Sequence, residues 1–400
     1  MSWLDDLVEA AAAAETPSSY IFWSGIATIS AIVSPNVYIN RGGIYKLSPN
    51  VFVMLIGESG LGKGFPIAIS KKLVKIVNNT RLISGRNTIQ AIVKDLGTSE
   101  TDPKTGVPKF KDARGYVVSG EFSTLVQEDK AALPILTELY DKHWNEDWKN
   151  TTKGAGIDVL HSPTITLLGG STPEHFANVV PESDVKGGFV GRILTVYEED
   201  RSKINPLEDT EAVVEFPFER LSVYLKELAK VKGDFKFSDI GRKFWVKWYT
   251  EVRGKKFHDP TGAINRLPDN VLKVAMCLSL SESPELIIDA VHIAEAVERC
   301  MALTVDSRRL TDGKGASELG IPTKLVIWTL FKLPSHEIEK GKLLRMHYGQ
   351  FDTYSLDRII VTLEQAGLAK CFQRDKKVWL KMPDEAVESL KKNEERIMVK

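Results

Sequence analysis

The stretch VFVMLIGESGLGKG, residues Val51 to Gly64, decides the fold. Its first six residues form an unbroken apolar run of strand length, the pattern of a parallel strand covered on both faces. Gly57, Gly62 and Lys63 then fall at the G-x-x-x-x-G-K spacing of a phosphate-binding loop, with Gly60 between them. Glycines let the backbone take positive φ and approach closely, so that its N–H groups converge on phosphate oxygens. The segment that follows, PIAISKKLVKIVNN, has helical periodicity, and Pro66 falls in the first turn, where a missing N–H costs nothing. The start of that helix adds its own orphan donors. Gly57, Glu58, Ser59, Gly60, Leu61, Gly62, Lys63, Gly64 and Phe65 are therefore the candidate nucleotide-binding residues, with ATP and Mg2+ as the expected cofactors. One position departs from the motif: Gly64 stands where a Ser or Thr hydroxyl normally binds the magnesium ion. A water can fill that vacancy, so the expectation is weaker metal positioning with binding retained.

Downstream, YVVSGEF, TITLLGG and GRILTVYEE read as further apolar strands, alternating with the helical patterns NTIQAIVKDL and KAALPILTELYDKHW. That alternation predicts a parallel α/β sheet. Three of these segments carry chemistry. Glu121, near the end of YVVSGEF and just after its apolar strand, stands where an acid could hold the metal shell or polarise water, against the alternative of an exposed glutamate in a turn. Ser171 and Thr172 end the TITLLGG strand; they are either sensors of the γ-phosphate or caps of the helix starting at Pro173. Arg192, at the head of a strand, suits stabilisation of transferring phosphate charge, in cis or from a neighbouring subunit. A salt bridge to Glu198 or Glu199 competes with that role.

The charges balance to zero, which excludes a global field drawing the chain to nucleic acid or anionic membrane. The apolar run Tyr20 to Val33 is shorter than a membrane span and is interrupted by Ser24, Gly25, Thr28 and Ser30, so it predicts a buried helix. Cys277, Cys300 and Cys371 lack metal-ligand spacing and read as buried thiols. With no signal-peptide pattern, the expected location is the cytoplasm.

Four regions are expected: N-terminal helices and a hairpin turning at Gly42 and Gly43 over 1–48, an ATPase core over 49–204, a helical region over 205–310 and a final module over 320–400. The N-terminal Ala-rich stretch predicts a helix opened by Ser2 and stopped near Pro17. The final module predicts three helices (Thr323 to Lys332, Ile338 to His347, Ser355 to Gly367) and two short strands, the order of a winged helix.

The segments SPNVFVMLIGESGLGKG, GYVVSGEFSTL, LTELYDKHW, PTITLLGGSTPEHF and GGFVGRILTVYEED, in this order, resemble the P-loop ATPases encoded beside replication genes in phages and mobile elements, often described as DnaB-like or primase-associated helicases. The resemblance spans roughly Tyr20 to Ala302. It implies a P-loop NTPase core, RecA-like or AAA+, with Lys63 on phosphate, Glu121 as metal or water residue, Ser171 and Thr172 as sensor and Arg192 as finger. Arg266 in NRLPDNVLKVA resembles a second sensor arginine borne on a helical lid; surface contacts are the alternative. The family usually ends its loop in Lys-Ser or Lys-Thr, so Gly64 bears on the hydrolysis rate.

The expected function is an ATP-dependent DNA replication motor or helicase acting as a homo-oligomer, for instance a hexamer with ring size left open, with replication proteins such as a primase among its partners and no membrane contact. A slow ATP-switched initiator or helicase loader is the alternative, and a defence or scaffold ATPase with a protein-binding winged helix a third. Duplex DNA would meet the third helix of the last module, through Arg358, and its wing, through Lys370, Arg374, Lys376, Lys377 and Lys381. A second basic tract around Trp245, Trp248 and Tyr249 carries Arg242, Lys243, Lys247, Arg253, Lys255 and Lys256. It suits single strands, unless the tryptophans are core residues with a solvated basic back.

Overall fold

The computed structural model describes residues 2–85, 87–98, 112–126, 129, 131–141, 145–152, 156–180, 188–205, 216–254, 262–311 and 320–388. Most of the polar loop 97–115 and of the linker 311–320, together with Lys255 and Lys256, lie outside them. The chain divides into two compact units, Met1–Thr311 and Asp312–Lys400.

In the first unit, α1 (Trp3–Ala10) and α2 (Ser18–Val33) precede the hairpin of β1 (Val37–Arg41) and β2 (Tyr45–Leu47). There follow β3 (Phe52–Ile56), α3 (Gly64–Val77), β4 (Arg81–Ser84), α4 (Ile89–Gly97), β5 (Arg114–Ser119), α5 (Ser123–Val126) and α6 (Ala132–Asp141). A hairpin of β6 (Asp147–Thr152) and β7 (Gly156–His161) leads to β8 (Thr164–Ser171), α7 (Pro173–Val179), a 3-10 turn (Val190–Arg192) and β9 (Ile193–Tyr197). The helical region contains α8 (Phe218–Leu228), β10 (Gly233–Asp234), β11 (Lys236–Phe237), α9 (Asp239–Gly254), α10 (Ala263–Glu282), β12 (Ile287–Ile288) and α11 (Ala290–Thr311).

The central sheet is five-stranded, in the order β4-β5-β8-β3-β9. Every neighbouring pair in it is parallel, with Ile56 opposite both Ser171 and Tyr197, and Phe52 opposite Ile193. This is the mixed α/β architecture that the alternating pattern predicts. Strand β3 is buried along its whole length because its two faces serve different cores. Val53 and Leu55 pack with α2, α3 and α10, whereas Phe52, Met54 and Ile56 pack with α4 and α6. Burial of each such side chain stabilises the fold by about 1.5–3 kcal/mol.

Helix α2 is buried from Tyr20 to Val33, as expected of a non-spanning apolar helix. No helix among the described residues is long and apolar enough to cross a membrane. Its interrupting polar residues are all engaged. Ser24 Oγ donates to the Ile21 carbonyl, and the Thr28 hydroxyl meets Ser70 Oγ at 2.6 Å, which in turn meets Tyr116 Oη at 2.6 Å. Ser30 Oγ bonds Thr166 and accepts from the Val51 N–H. These bonds tie α2 to α3, β5, β8 and the start of β3. Gly25 gives α1 its seat, since a Cβ there would come within 2.6 Å of Leu4 Cδ2 and 2.8 Å of Leu7 Cδ2.

The expected N-terminal helix is cut short. Ser2 caps it, with a reciprocal capping box to Asp5, but it ends at Ala10 rather than near Pro17. The next residues are taken by tertiary bonds instead: Lys203 Nζ donates to the Ala12 carbonyl, Asn205 Nδ2 to the Ala13 carbonyl at 3.1 Å, and the Ser202 N–H to the Glu15 carbonyl at 3.2 Å. Cys277 and Cys300 are buried as expected, but Cys371 is only half-buried.

The second unit has its own core. It comprises α12 (Gly320–Lys332), β13 (Glu337–Glu339), α13 (Lys340–Met346), α14 (Thr353–Gln365), β14 (Lys370–Arg374) and β15 (Lys377–Lys381), with strand order β13-β15-β14, antiparallel throughout. The helix expected from Ile338 starts two residues later. Ile338 instead pairs with Leu380 in the sheet and fills the core from there.

Replacing Gly25 by Val should lower the unfolding free energy by about 1–3 kcal/mol in denaturant titrations, because the added atoms overpack the α1–α2 contact.

Candidate functional site

Five strands of one direction bring their C-terminal ends to one edge, and the glycine-rich loop Gly57–Lys63 sits there between β3 and α3. Gly60 and Gly62 take φ of 86° and 80°, which L side chains rarely adopt, so the glycines at these positions are required by the turn. Gly57 is required by crowding: a Cβ there would lie 2.5 Å from Tyr20 Oη and 2.8 Å from the Glu198 carbonyl. The strand end beneath the loop is pinned, since the Ile56 carbonyl accepts from Tyr20 Oη at 2.6 Å and from the Glu198 N–H at 3.0 Å. Burial pushes the Tyr20 hydroxyl well above its ordinary pKa, so it remains a donor.

Lys63 folds back over the loop, its Nζ donating to the Gly57 carbonyl at 2.6 Å and the Glu58 carbonyl at 2.8 Å. Burial lowers its pKa, opposed by the nearby carboxylates of Glu121 and Glu58. At Gly64 a Cβ would meet no described atom within 4 Å. The missing hydroxyl is thus a property of the sequence, and there is open space for one.

Glu121 stands past the end of β5, half-exposed. Its Oε1 accepts from Ser123 Oγ at 3.0 Å and lies 3.5 Å from His175 Nδ1. Gly170 lets this turn approach β8, for a Cβ there would sit 2.7 Å from the Gly120 carbonyl. Ser171 is fully buried and its Oγ has no hydrogen-bond partner among the described residues. Its carbonyl accepts from the Gly57 N–H at 3.3 Å, which couples the strand to the loop's first residue. Thr172 caps α7, accepting from the His175 N–H at 3.2 Å.

The loop has a second wall that no motif announced. Residues 14–16 and Arg201 enclose, with Gly60, Leu61, Gly62 and Phe65, a cavity of about 150 Å³. Thr16 Oγ1 donates to the Gly62 carbonyl at 3.2 Å, Arg201 Nη2 to the Gly60 carbonyl at 3.2 Å, and Arg201 pairs with Glu15. These residues are distant from the loop in sequence and share no recognisable spacing with it. The only signal was the Thr16-Pro17 break after the alanines.

Arg192 and Arg266 are brought together, but at the other end of the sheet. Arg192 precedes β9, whose first residue Ile193 pairs with Phe52, so it lies a full strand length from Gly57, on the order of 15–20 Å. Its partner is Asp141, not Glu198 or Glu199 as the sequence suggests. Nε donates to Asp141 Oδ2 at 3.0 Å, Nη2 meets the same oxygen, and Nη1 donates to the Gly188 carbonyl at 2.8 Å. Arg266 Nη1 is 3.6 Å from Asp141 Oδ1.

On the second unit, Lys370 and Lys376 are exposed, with Lys376 at the β14–β15 turn at φ 61°. Arg374 and Lys377 are tied across the sheet to Glu337 at 2.8 Å and Glu339 at 3.0 Å. Arg358 lies over the ring of Tyr354, which is 72% exposed and which no sequence pattern singled out. In the first unit, Trp245 and Trp248 pack half-buried against the main core, with Arg242, Lys243, Lys247 and Arg253 on the exposed side of α9. That arrangement matches the core reading of the tryptophans. No group of three or more metal-ligating side chains occurs among the described residues.

No protein-family model matches the chain, and no curated protein matches it significantly.

Lys273 is buried near Arg266, and burial pushes its pKa down to about 7. Between about pH 7 and its ordinary value near 10.5 the unfolded chain therefore binds more protons than the folded one, so this group makes stability rise with pH across that window. In urea titrations the stability of wild type relative to Lys273→Met should climb from pH 7.5 to pH 10.

Proposed function

We propose that this chain is a P-loop ATPase with an AAA+-type core that works as an oligomer on DNA. The observation that carries the reading is the loop itself. A buried parallel strand, two glycines at positive φ and a lysine folded onto loop carbonyls stand beside the Glu121 carboxylate at the C-terminal edge of the sheet. That edge is where open α/β sheets bind ligands. The donor set fits a polyphosphate: the loop's positive-φ glycines turn its backbone, and Lys63 now donates to carbonyl oxygens that phosphate oxygens would replace. The strand order supports AAA+ over RecA-like topology. With β3 counted first among the core strands, the sheet runs fifth, first, fourth, third, second.

Bound ATP with its magnesium ion would supply the phosphoryl bond to be broken and the charge to be stabilised. Lys63 would bind the β and γ oxygens. Glu121, held by Ser123, would orient a water or the metal's water shell. The Ser171 hydroxyl, buried beside the loop and without a partner, is the group with spare hydrogen-bonding capacity, whereas Thr172 is committed to its helix cap. The cavity formed by Thr16, Phe65 and Arg201 is the natural place for the nucleoside. Arg192 and Arg266 cannot reach a nucleotide on their own loop, so any finger role is exercised on a neighbouring copy. This is the geometric support for the oligomer.

The energy would be spent on DNA. The second unit resembles a winged helix, with α14 as recognition helix and Lys370 and Lys376 as the phosphate contacts least tied to carboxylates. A slow switch, an initiator or loader, is favoured by two observations: Gly64 provides no hydroxyl for the metal, and Arg192 is held by Asp141.

Four results test the proposal. Lys63→Ala should abolish ATP binding in equilibrium dialysis; unchanged affinity would refute the nucleotide site. Gly64→Ser, which has space for its side chain, should raise the magnesium-dependent hydrolysis rate by about tenfold, the scale of one well-placed ligand in the transition state. Lys63→Ala and Arg192→Ala proteins, inactive alone, should regain DNA-stimulated ATPase activity when mixed, and failure to do so at any ratio removes the trans finger. For the DNA contacts, Lys370→Ala with Lys376→Ala should weaken binding and lower the salt slope by about 2.

A further inference from the structure

Helix α10 is buried along most of its length, yet one face of it is polar. Arg266, Asp269, Asn270 and Lys273 recur at helical spacing and line one wall of a cavity of about 320 Å³. Residues 45–48, Asn50, Tyr140, Asp141 and Thr164 complete its lining. The cavity lies at the N-terminal end of the sheet, a strand length from the glycine loop, and shares no residue with it.

A buried polar network holds its floor. Lys273 Nζ donates to the Asn50 carbonyl at 2.9 Å and to Asn50 Oδ1 at 3.1 Å, and sits 3.6 Å over the Tyr140 ring. Tyr140 Oη bonds Asn270 Oδ1 at 3.1 Å, and Asn270 Nδ2 donates to the Gly191 carbonyl at 3.1 Å. Asn50, Tyr140, Asn270 and Lys273 are each at least nine-tenths buried. Such a network is costly to build in place of an apolar core. Among the described residues around it, Arg41, Arg192, Arg266 and Lys273 stand against Asp141 and Asp269, and Lys46 lies on the cavity wall. Both carboxylates are already engaged, Asp269 by Arg41 at 3.0 Å and Asp141 by Arg192. Among the described residues the carboxylate contact of Arg266 is the long one to Asp141, and Ser48 Oγ on the cavity wall is buried without a hydrogen-bond partner.

From this cavity we infer a second anion site, separate from the glycine loop, that takes a small ligand bearing a tetrahedral dianion such as a phosphomonoester. Arg266 is its main ligand, and Lys46 and Lys273 supply the surrounding positive charge. The volume lies in the range of small-molecule sites and exceeds what a bare ion fills. Burial without a carboxylate in contact pushes Lys273 down to about 7, and an anion bound here would restore its charge. Asp141 touches both Arg192 and Arg266, so a ligand drawing on Arg266 also changes the setting of Arg192.

The test is equilibrium dialysis of labelled inorganic phosphate at constant ionic strength, against full-length wild type, Lys63→Ala, Arg266→Gln, Arg266→Lys and Lys46→Gln. Lys63→Ala should keep a saturable phosphate site, whatever becomes of its ATP binding. Arg266→Gln in the Lys63→Ala background should weaken that site about tenfold, the loss expected for one charge-assisted bond, with partial recovery in Arg266→Lys. Lys46→Gln, on the half-buried β1–β2 hairpin rather than on α10, should weaken it by about threefold and guards against a folding artefact of the helix. Loss of all phosphate binding in Lys63→Ala would overturn the second site, as would unchanged affinity in both Arg266→Gln and Lys46→Gln. If phosphate binding in Lys63→Ala appears only in mixtures with nucleotide-loaded wild type and rises with protein concentration, the anion belongs to a second copy's nucleotide, and the free-ligand site is overturned.

Discussion

The hydroxyl of Tyr20 and the carbonyl of Ile56, 2.6 Å apart, join the two features on which the first unit is built. One is helix α2, buried on all sides; the other is β3, the strand that ends in the glycine loop. Ile56 also accepts from the backbone of Glu198, so the loop leaves the sheet from a point held on two sides. Gly57 must then be glycine, because Tyr20 Oη and the Glu198 carbonyl occupy the place of a Cβ. On this base stand the chemical groups of the loop, a lysine on carbonyls and a half-exposed glutamate.

The same sheet separates two kinds of charge. At its C-terminal edge Lys63 donates to carbonyl oxygens, with the Glu121 carboxylate near enough to act on its charge but, among the described residues, not in direct contact with it. At its N-terminal edge two arginines converge on one aspartate above a buried lysine. Parallel strands put the loops that follow them and the loops that precede them on opposite edges, so charges carried by the two sets of loops are kept apart. A chain with no net charge has in this way concentrated positive charge at one edge of the fold, within a cavity.

Much of this was legible locally. The strand at 51–56, the loop, the helix with Pro66 in its first turn, the helical pattern of α4 and the later strands all follow from periodicity and end signals that act within a few residues. The buried helix at Tyr20 to Val33 was legible too, from its length and its small polar residues. Less so was the extent of α1: an alanine-rich stretch has high helix propensity, yet residues 12–15 surrender it to Lys203, Ser202 and Asn205. The hairpin of β6 and β7 is not legible either, since Asp147–Thr152 lacks clear alternation. At the site, Lys63, Glu121 and the loop glycines were marked by spacing, whereas Thr16 and Arg201 were not, because their proximity to the loop arises only when residues 12–16 and 198–205 interlock.

The sequence by itself determined the local grammar: an apolar strand, a loop that only glycines can form, a lysine at its end and no hydroxyl after it. These depend on backbone sterics and on neighbours in the chain, so they can be read without a fold. Only the tertiary structure decided the partnerships. It gave Arg192 to Asp141 rather than to Glu198 or Glu199, set Arg266 beside it, and placed both a strand length from Gly57. Ion pairing is decided by which side chains share an edge of the sheet, and that follows from strand order and direction, which no local pattern encodes.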